Sequence, residues 1–279
     1  SGAGMMECKS ALVATHGDLE AAFEHLRKSG AAKAAKKAGR IAAEGAIVVR
    51  EKGPVAVIVE VNSETDFVAN DENFVQFVNG VADTLIAHKS ADIEALNALM
   101  LAGTDETIET ARQNLVAKIG ENISVRRFAV VEAAAGALGA YLHGKRIGVL
   151  VELEGGNAEL ARDIAMHVAA SNPVCVAESD VPQALLDKER EIRLAQAATS
   201  GKPADIVEKM VTGQIKKFIA ESTLLGQPFV KDPETSVGKL VAKAGAKVKR
   251  FIRFEVGEGI EKKAVDFAEE VAAQARAVE

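Results

Sequence analysis

The 279-residue chain has no tryptophan, one tyrosine and two cysteines, and ten phenylalanines supply nearly all its aromatic character. Each scarcity excludes something. Cys8 and Cys175 lie far apart without CxxC spacing, so they offer neither a disulfide framework nor a zinc site and fit a reducing compartment. The five histidines, His16, His25, His88, His143 and His167, do not pair with each other or with cysteine at metal-ligand spacing. No apolar run approaches the roughly 20 residues that span a bilayer. Net charge is −6, so the chain as a whole is not a generic polyanion binder. Walker A, Rossmann, GxSxG, HExxH and kinase signatures are all missing. Gly2-Ala3-Gly4 and Gly257-Glu258-Gly259 lack the third glycine and the strand-before-helix setting. No cofactor is expected. No signal peptide is visible at Ser1-Gly2, which leaves a removed leader open.

What is present has the composition and length of a soluble globular protein of about two domains. Residues 1–29 read as two short helices. Met5, Cys8, Ala11 and Leu12 mark one apolar face, Asp18 supplies an N-cap, and Leu19, Ala22, Phe23 and Leu26 follow at helical spacing. Two such helices bury little and need a third element, from before Ser1 or from the rest of the fold. Residues 28–40, KSGAAKAAKKAGR, read as a basic linker. The competing reading is a nucleic-acid patch, but no aromatic is interleaved for base stacking.

The main body contains an internal repeat. Gly45–Val49, a turn at Lys52-Gly53-Pro54 and Val55–Val61 parallel Leu138–Leu142, a turn at His143-Gly144-Lys145 and Ile147–Leu153. Both read as β-hairpins. A helix follows each, with Phe74, Phe77, Val78, Val81 and Leu85 on one face in the first copy and Leu160, Ile164 and Val168 in the second. Leu115–Gly120 parallels Leu240–Gly245, each a helix ending at glycine. Val125–Glu132 parallels Val248–Glu255 as third strands. The order implies two α+β units, each a small antiparallel sheet covered by helices. The second unit gains a helical hairpin, with Leu185 and Ile192 on its first helix, a turn at Ser200–Pro203 with Pro203 as first helical residue, and Val207, Val211, Ile215 and Phe218 on its second. Residues 261–279 read as a terminal helix that docks on the body or on a partner.

His167 falls on an apolar helix face and reads as a satisfied core histidine, whereas His143 sits in a turn. Cys8 reads as an ordinary half-buried thiol. The remaining question is Asn62–Asp71, NSETDFVAND, where an acid and a large aromatic leave a strand together. The second repeat turns at Leu153-Glu154-Gly155-Gly156 without an aromatic, so the fold does not demand Phe67. Asp66-Phe67 is then either local core beside a turn or an outward wedge. Met5-Met6 and Val230 pose the same choice, local core or anchors of a protein interface, where Met and aromatics are enriched.

Thr65-Asp66-Phe67-Val68, Gly2–Lys9, Lys118-Ile119-Gly120-Glu121-Asn122 with Arg126-Arg127, His143-Gly144, His167–Ala170, Gly226–Val230 and Phe251–Gly259 together resemble the bacterial translation elongation factor Ts family, collinearly over the whole chain. The resemblance implies an α+β fold with a ubiquitin-associated-like helical domain and basic linker at 1–40. The family's first helix would lie before Ser1. A core follows, with subdomains at 41–134 and 135–258, a hairpin inserted at about 180–225 and a C-terminal helical module at 259–279. It implies a guanine-nucleotide exchange factor that is not an enzyme, bound to the GTPase elongation factor Tu in the bacterial cytoplasm, without membrane or direct nucleic-acid contact. Dimerisation of exchange complexes through the hairpin is left open. The contact residues it implies are Asp66 and Phe67 beside the nucleotide site, Met5, Met6 and Lys9, Ile119 and Gly120, and His143 and Val230. Two other classes stay open on the residues alone. One is a nucleic-acid module using 28–40. The other is an enzyme with an unrecognised site, which the lack of a convergent acid, base or metal cluster disfavours.

Overall fold

The run Val55–Val61 carries apolar side chains at both parities, as a strand does when both its faces are covered. The computed structural model of the chain, which describes residues 3–133, 136–198 and 203–261, shows how both faces come to be covered. The elements are α1 (Met5–Ala14), α2 (Leu19–Lys37), β1 (Glu44–Lys52), β2 (Val55–Ser63), α3 (Asp66–Ala69), α4 (Glu72–His88), α5 (Ile93–Ala98), α6 (Ile108–Ile119) and β3 (Ser124–Glu132). Then come β4 (Ala137–His143), β5 (Ile147–Glu154), α7 (Ala158–Ser171), α8 (Gln183–Ala198), α9 (Ala204–Ser222), β6 (Pro228–Phe229), β7 (Asp232–Ser236), α10 (Val237–Lys243) and β8 (Lys247–Glu255). Two antiparallel sheets form, ordered β1-β2-β3 and β4-β5-β8, and β6 pairs with β7.

The two larger sheets pack face to face. Val55, Val57, Val59 and Val61 of β2 face Phe74, Phe77, Val81 and Leu85 of α4 and Val116 of α6. The alternate residues Ala56 and Ile58 join Ile47, Val131, Leu150 and Val256 between the sheets. On the far side, Val149, Val151 and Leu153 pack on Ile164, Ala165 and Val168 of α7 and Val241 of α10. The layers therefore run helix, sheet, sheet, helix. Gly148 lets the sheets approach, because a Cβ there would lie 2.6 Å from Ile47 Cγ2 and 2.9 Å from Ile58 Cδ1.

The repeat is visible in backbone detail. The β2–β3 register shifts between Glu60 and Val61, and the β5–β8 register shifts between Glu152 and Leu153. Gly45 and Gly136 adopt φ of 132° and 127°, and a Cβ at either would strike a carbonyl of the neighbouring strand, Val61 or Leu153, at 2.1 or 2.0 Å. Each bulge carries a buried glutamate opposite an arginine, Glu60 with Arg127 and Glu152 with Arg250. Glu60 accepts hydrogen bonds from Arg126 (3.0 Å), Arg127 (2.5 Å), Asn62 (3.0 Å) and the Gly257 N–H (2.8 Å). Burial pushes its carboxyl up, but the Gly257, Arg127 and Asn62 bonds and the Arg127 charge outweigh this and hold it below the usual carboxylate range. Arg126 and Arg127 also donate to the Glu258 and Glu255 carbonyls, so the node ties the exit of the second sheet to the first.

Several expectations need correction. Residues 28–37 are not a linker but the second half of α2, which buries Gly30 and Ala34. A Cβ on Gly30 would sit 3.7 Å from both Ala117 and Asn114 of α6, so small residues bring these helices close. α6 is thus a third element for the N-terminal pair. Ala11, Ala22, Gly30 and Ala34 are buried, whereas Met5, Leu19 and Phe23 are exposed. Phe67 lies in a one-turn helix rather than a loop. In the hairpin, α9 turns Val207, Val211, Ile215 and Phe218 inward as expected, but Ile192 of α8 is exposed and Leu186 is half-buried instead. Pro203 is the N-cap of α9, one residue before its first turn. The rest of that turn, Ser200–Lys202, and the terminal helix expected at 261–279 fall outside the described residues beyond Glu261.

Gly148→Ala overpacks the inter-sheet layer and is expected to lower the unfolding free energy by about 1–3 kcal/mol in urea titration. Glu60→Ala strips the Gly257 N–H of its acceptor and two arginines of their anion; the same measurement should show a loss of about 2–3 kcal/mol.

Candidate partner-binding site

Strand β2 ends at Ser63, and Thr65 opens α3. Its hydroxyl accepts the Val68 N–H at 3.4 Å, a side-chain N-cap. The helix is only the four residues Asp66–Ala69, and Asn70 alone separates it from Asp71, which caps α4 through the Asn73 and Phe74 N–H groups. A single turn has no intrinsic stability, so tertiary contacts must hold it. Val68 and Ala69 enter the first core, which turns Asp66 and Phe67 outward. Phe67 is 84% exposed, and it is the aromatic at the tip of a pinned turn.

Three neighbours hold this turn. The Glu121 carboxylate, just past the α6 terminus, accepts the Glu64 and Thr65 N–H groups at 3.1 and 3.0 Å and the Thr65 hydroxyl at 2.7 Å. Glu64 answers by accepting the Asn122 N–H at 2.6 Å. From the second sheet, Lys145 donates to Asn70 Oδ1 at 3.1 Å, and its carbonyl accepts the Ile47 N–H at 2.8 Å. The structure therefore brings Asp66 and Phe67 together with the Ile119-Gly120 loop and with the β4–β5 turn that carries His143. Gly120 takes φ of 90° to end α6, and its carbonyl accepts from Lys37 of α2. His143 is exposed, with its Nδ1 3.2 Å from the Tyr141 hydroxyl.

The other expected residues lie on separate elements. Met5 and Met6, 86% and 71% exposed, and Lys9 are on α1. Val230 is 45% exposed beside the β6–β7 hairpin. Its N–H donates to His167 Nδ1 at 3.2 Å. Gln227 Nε2 donates to the Glu221 carbonyl at 2.8 Å, so its oxygen faces His167 Nε2 at 2.9 Å and accepts a hydrogen bond from the Nε2–H. His167 is therefore a satisfied, neutral core histidine, as its helix position suggested. It also pins the Val230 backbone. Glu64, Glu121, Lys145 and Asn70 were not singled out as site residues, because their partners lie 56 or more residues away and leave no periodic signal. Among the described residues no cluster of three His, Cys, Asp or Glu side chains is arranged to hold a metal ion, and no helix is long and apolar enough to cross a membrane.

The family model described as Elongation factor TS matches residues 64–258. The chain is 64% identical over 279 residues to the elongation factor Ts of Thioalkalivibrio sulfidiphilus, covering 99% of this chain and 94% of that one. It is 59% identical over 278 residues to that of Alkalilimnicola ehrlichii, covering 99% and 94%. With that of Methylococcus capsulatus it shares 59% identity over 280 residues, covering 99% and 95%.

Burial pushes the His167 pKa down, and the Gln227 bond only partly offsets it. An unfolded histidine takes up its proton below about 6.5. There the unfolded state binds more protons, so this contribution to stability is intact above that value and declines as pH falls. NMR titration should find the His167 ring titrating below the ordinary histidine value, with the thermal midpoint falling as pH drops through about 6.5. A His167 that titrates at or above the ordinary value contradicts this.

Proposed function

This chain belongs to the elongation factor Ts family of translation elongation factors, and we propose that it is a guanine-nucleotide exchange factor for the GTPase elongation factor Tu. The observation that carries the reading is Phe67, left exposed on a turn that the core and two carboxylate straps hold in place. An aromatic on a loose loop would yield when pressed against a partner. One on a pinned turn can displace what it meets.

An exchange factor makes and breaks no covalent bond. It binds the nucleotide-free GTPase better than the nucleotide-bound one, and the coupling is reciprocal. A nanomolar nucleotide is held by about 12 kcal/mol. Speeding its release by 10³–10⁴ needs roughly 4–5.5 kcal/mol off the barrier. Burying a phenylalanine supplies about 1.5–3 kcal/mol. Phe67 is therefore a large part of the wedge but not all of it, and other contacts must hold the GTPase in the shifted state. In this reading Phe67 inserts near the partner's Mg²⁺ site, which bridges phosphate oxygens, and Asp66 supports the displaced segment through polar contact.

The remaining contacts are assigned to Met5, Met6 and Lys9 on α1, Ile119 and Gly120 after α6, His143 in the β4–β5 turn, and Val230. The layout of the described residues supports a division into an N-terminal helical module, two core subdomains and the α8–α9 hairpin; a C-terminal module at 259–279 as a further binding element rests on the resemblance alone. Translation in the bacterial cytoplasm is the setting this implies.

The test is release of labelled GDP from elongation factor Tu. Phe67→Ala is expected to slow catalysed release by about ten- to a hundredfold, the span that corresponds to one buried phenylalanine. Asp66→Ala should slow it less. Wild-type rates from both folded variants would sink the assignment.

A further inference from the structure

We infer that Glu121 is the positioning residue of the Asp66–Phe67 wedge, an inference that rests on the exchange reading above. Its carboxylate receives three donors from the strand-to-helix junction: the Glu64 N–H, the Thr65 N–H and the Thr65 hydroxyl. The hydroxyl bond decides the rotamer of Thr65. With its proton committed to Glu121, the Thr65 oxygen is left to accept the Val68 N–H and so caps α3. The Ser63 hydroxyl donates to the Thr65 carbonyl at 2.9 Å, locking the same residue from behind. The return strap from Glu64 to the Asn122 N–H fixes the loop that carries Glu121. Buried Asn122 in turn donates to the Arg40 carbonyl at 2.8 Å. Glu121 thus connects a chain of fixed groups to the turn whose aromatic faces outward.

The second repeat supplies an internal control. Matching the bulges at Glu60 and Glu152 aligns Ser63-Glu64-Thr65 with Gly155-Gly156-Asn157, and the α6 and α10 termini align Glu121 with Ala246. There Asn157 caps a continuous α7 and no wedge turn intervenes. The two loops meet through bare glycine: a Cβ on Gly155 would lie 2.8 Å from the Gly245 carbonyl, and one on Gly156 3.0 Å from Ala246 Cβ. The junction closes without a carboxylate. The strap is therefore not a requirement of this fold, and it occurs in the copy that bears the exposed phenylalanine.

The experiment measures catalysed GDP release from elongation factor Tu against factor concentration, for the full chain carrying Glu121→Ala, Glu121→Gln, Thr65→Val, Phe67→Ala, and Glu121→Ala with Phe67→Ala. Glu121→Ala should lower the maximal rate about tenfold, equal to about 1.4 kcal/mol of barrier. The half-saturating concentration should stay within about twofold, since the anchors on other elements are untouched. Glu121→Gln, which keeps an oxygen acceptor, should recover part of the rate. In the Phe67→Ala background Glu121→Ala should have little further effect, because a residue that acts through another loses its influence when that other is removed. A Glu121→Ala maximal rate equal to wild type overturns the inference, as does an equal fold-loss in both backgrounds. Should Glu121→Ala fail to fold, Thr65→Val breaks the same strap from the other side and is held to the same outcomes. Wild-type exchange by Phe67→Ala would instead overturn the underlying exchange reading.

Discussion

The face-to-face contact between the two three-stranded sheets is the constraint on which the rest of the structure depends. Ile47, Ile58 and Leu150 are fully buried in that layer, each contributing about 1.5–3 kcal/mol. With one face of β2 committed to the second sheet, its other face must take α4 and α6, and β5 must take α7 and α10. The layer also sets what happens at its margin. Glu60 sits on the inter-sheet parity of β2, where bonds from Gly257, Arg126 and Arg127 close the edge that apolar side chains leave open. Because the second sheet lies against β1, the β4–β5 turn reaches the start of α4, and Lys145 meets Asn70.

The two units share a bulge, a buried glutamate, a glycine against a carbonyl and a helix that stops at glycine. They diverge where the central strand hands over to its helix. In the second unit two glycines make the turn and α7 starts at once. In the first, an added helical turn breaks the path into α3 and α4, and carboxylates replace direct backbone packing. Inserting a turn there uses side-chain hydrogen bonds across the gap that glycines otherwise close. An exposed phenylalanine held in this way is a different object from a surface residue on a mobile loop.

Much of the fold was readable because its signals are local. Both hairpins, the third strands, the apolar face of α4 and the glycine stops follow from alternation, 3.6-residue periodicity and turn chemistry. The misreadings share one cause. Residues 28–37 look like a linker because alanine, glycine and lysine bury little against an ordinary neighbour, yet α6 approaches closely enough for Gly30 and Ala34 to suffice. Leu19 and Phe23 have helical spacing, but spacing does not say that a neighbour covers them. In the site, Phe67 stood out only by contrast with the repeat. Glu121, Glu64 and Lys145 entered only as members of quoted stretches without a role, since their meaning lies in partners brought near by folding.

By itself the amino-acid order determined most of the elements, the duplication, the family and the presence of an aromatic that the fold has no need of. These depend on interactions between residues a few positions apart, or on the comparison of one stretch with another. Tertiary structure alone decided that the sheets face each other, that α2 lies on α6, and that Phe67 stands on a braced turn. Those outcomes rest on which surfaces exclude water together and on which distant carboxylate finds a free N–H. No periodicity along the chain encodes either.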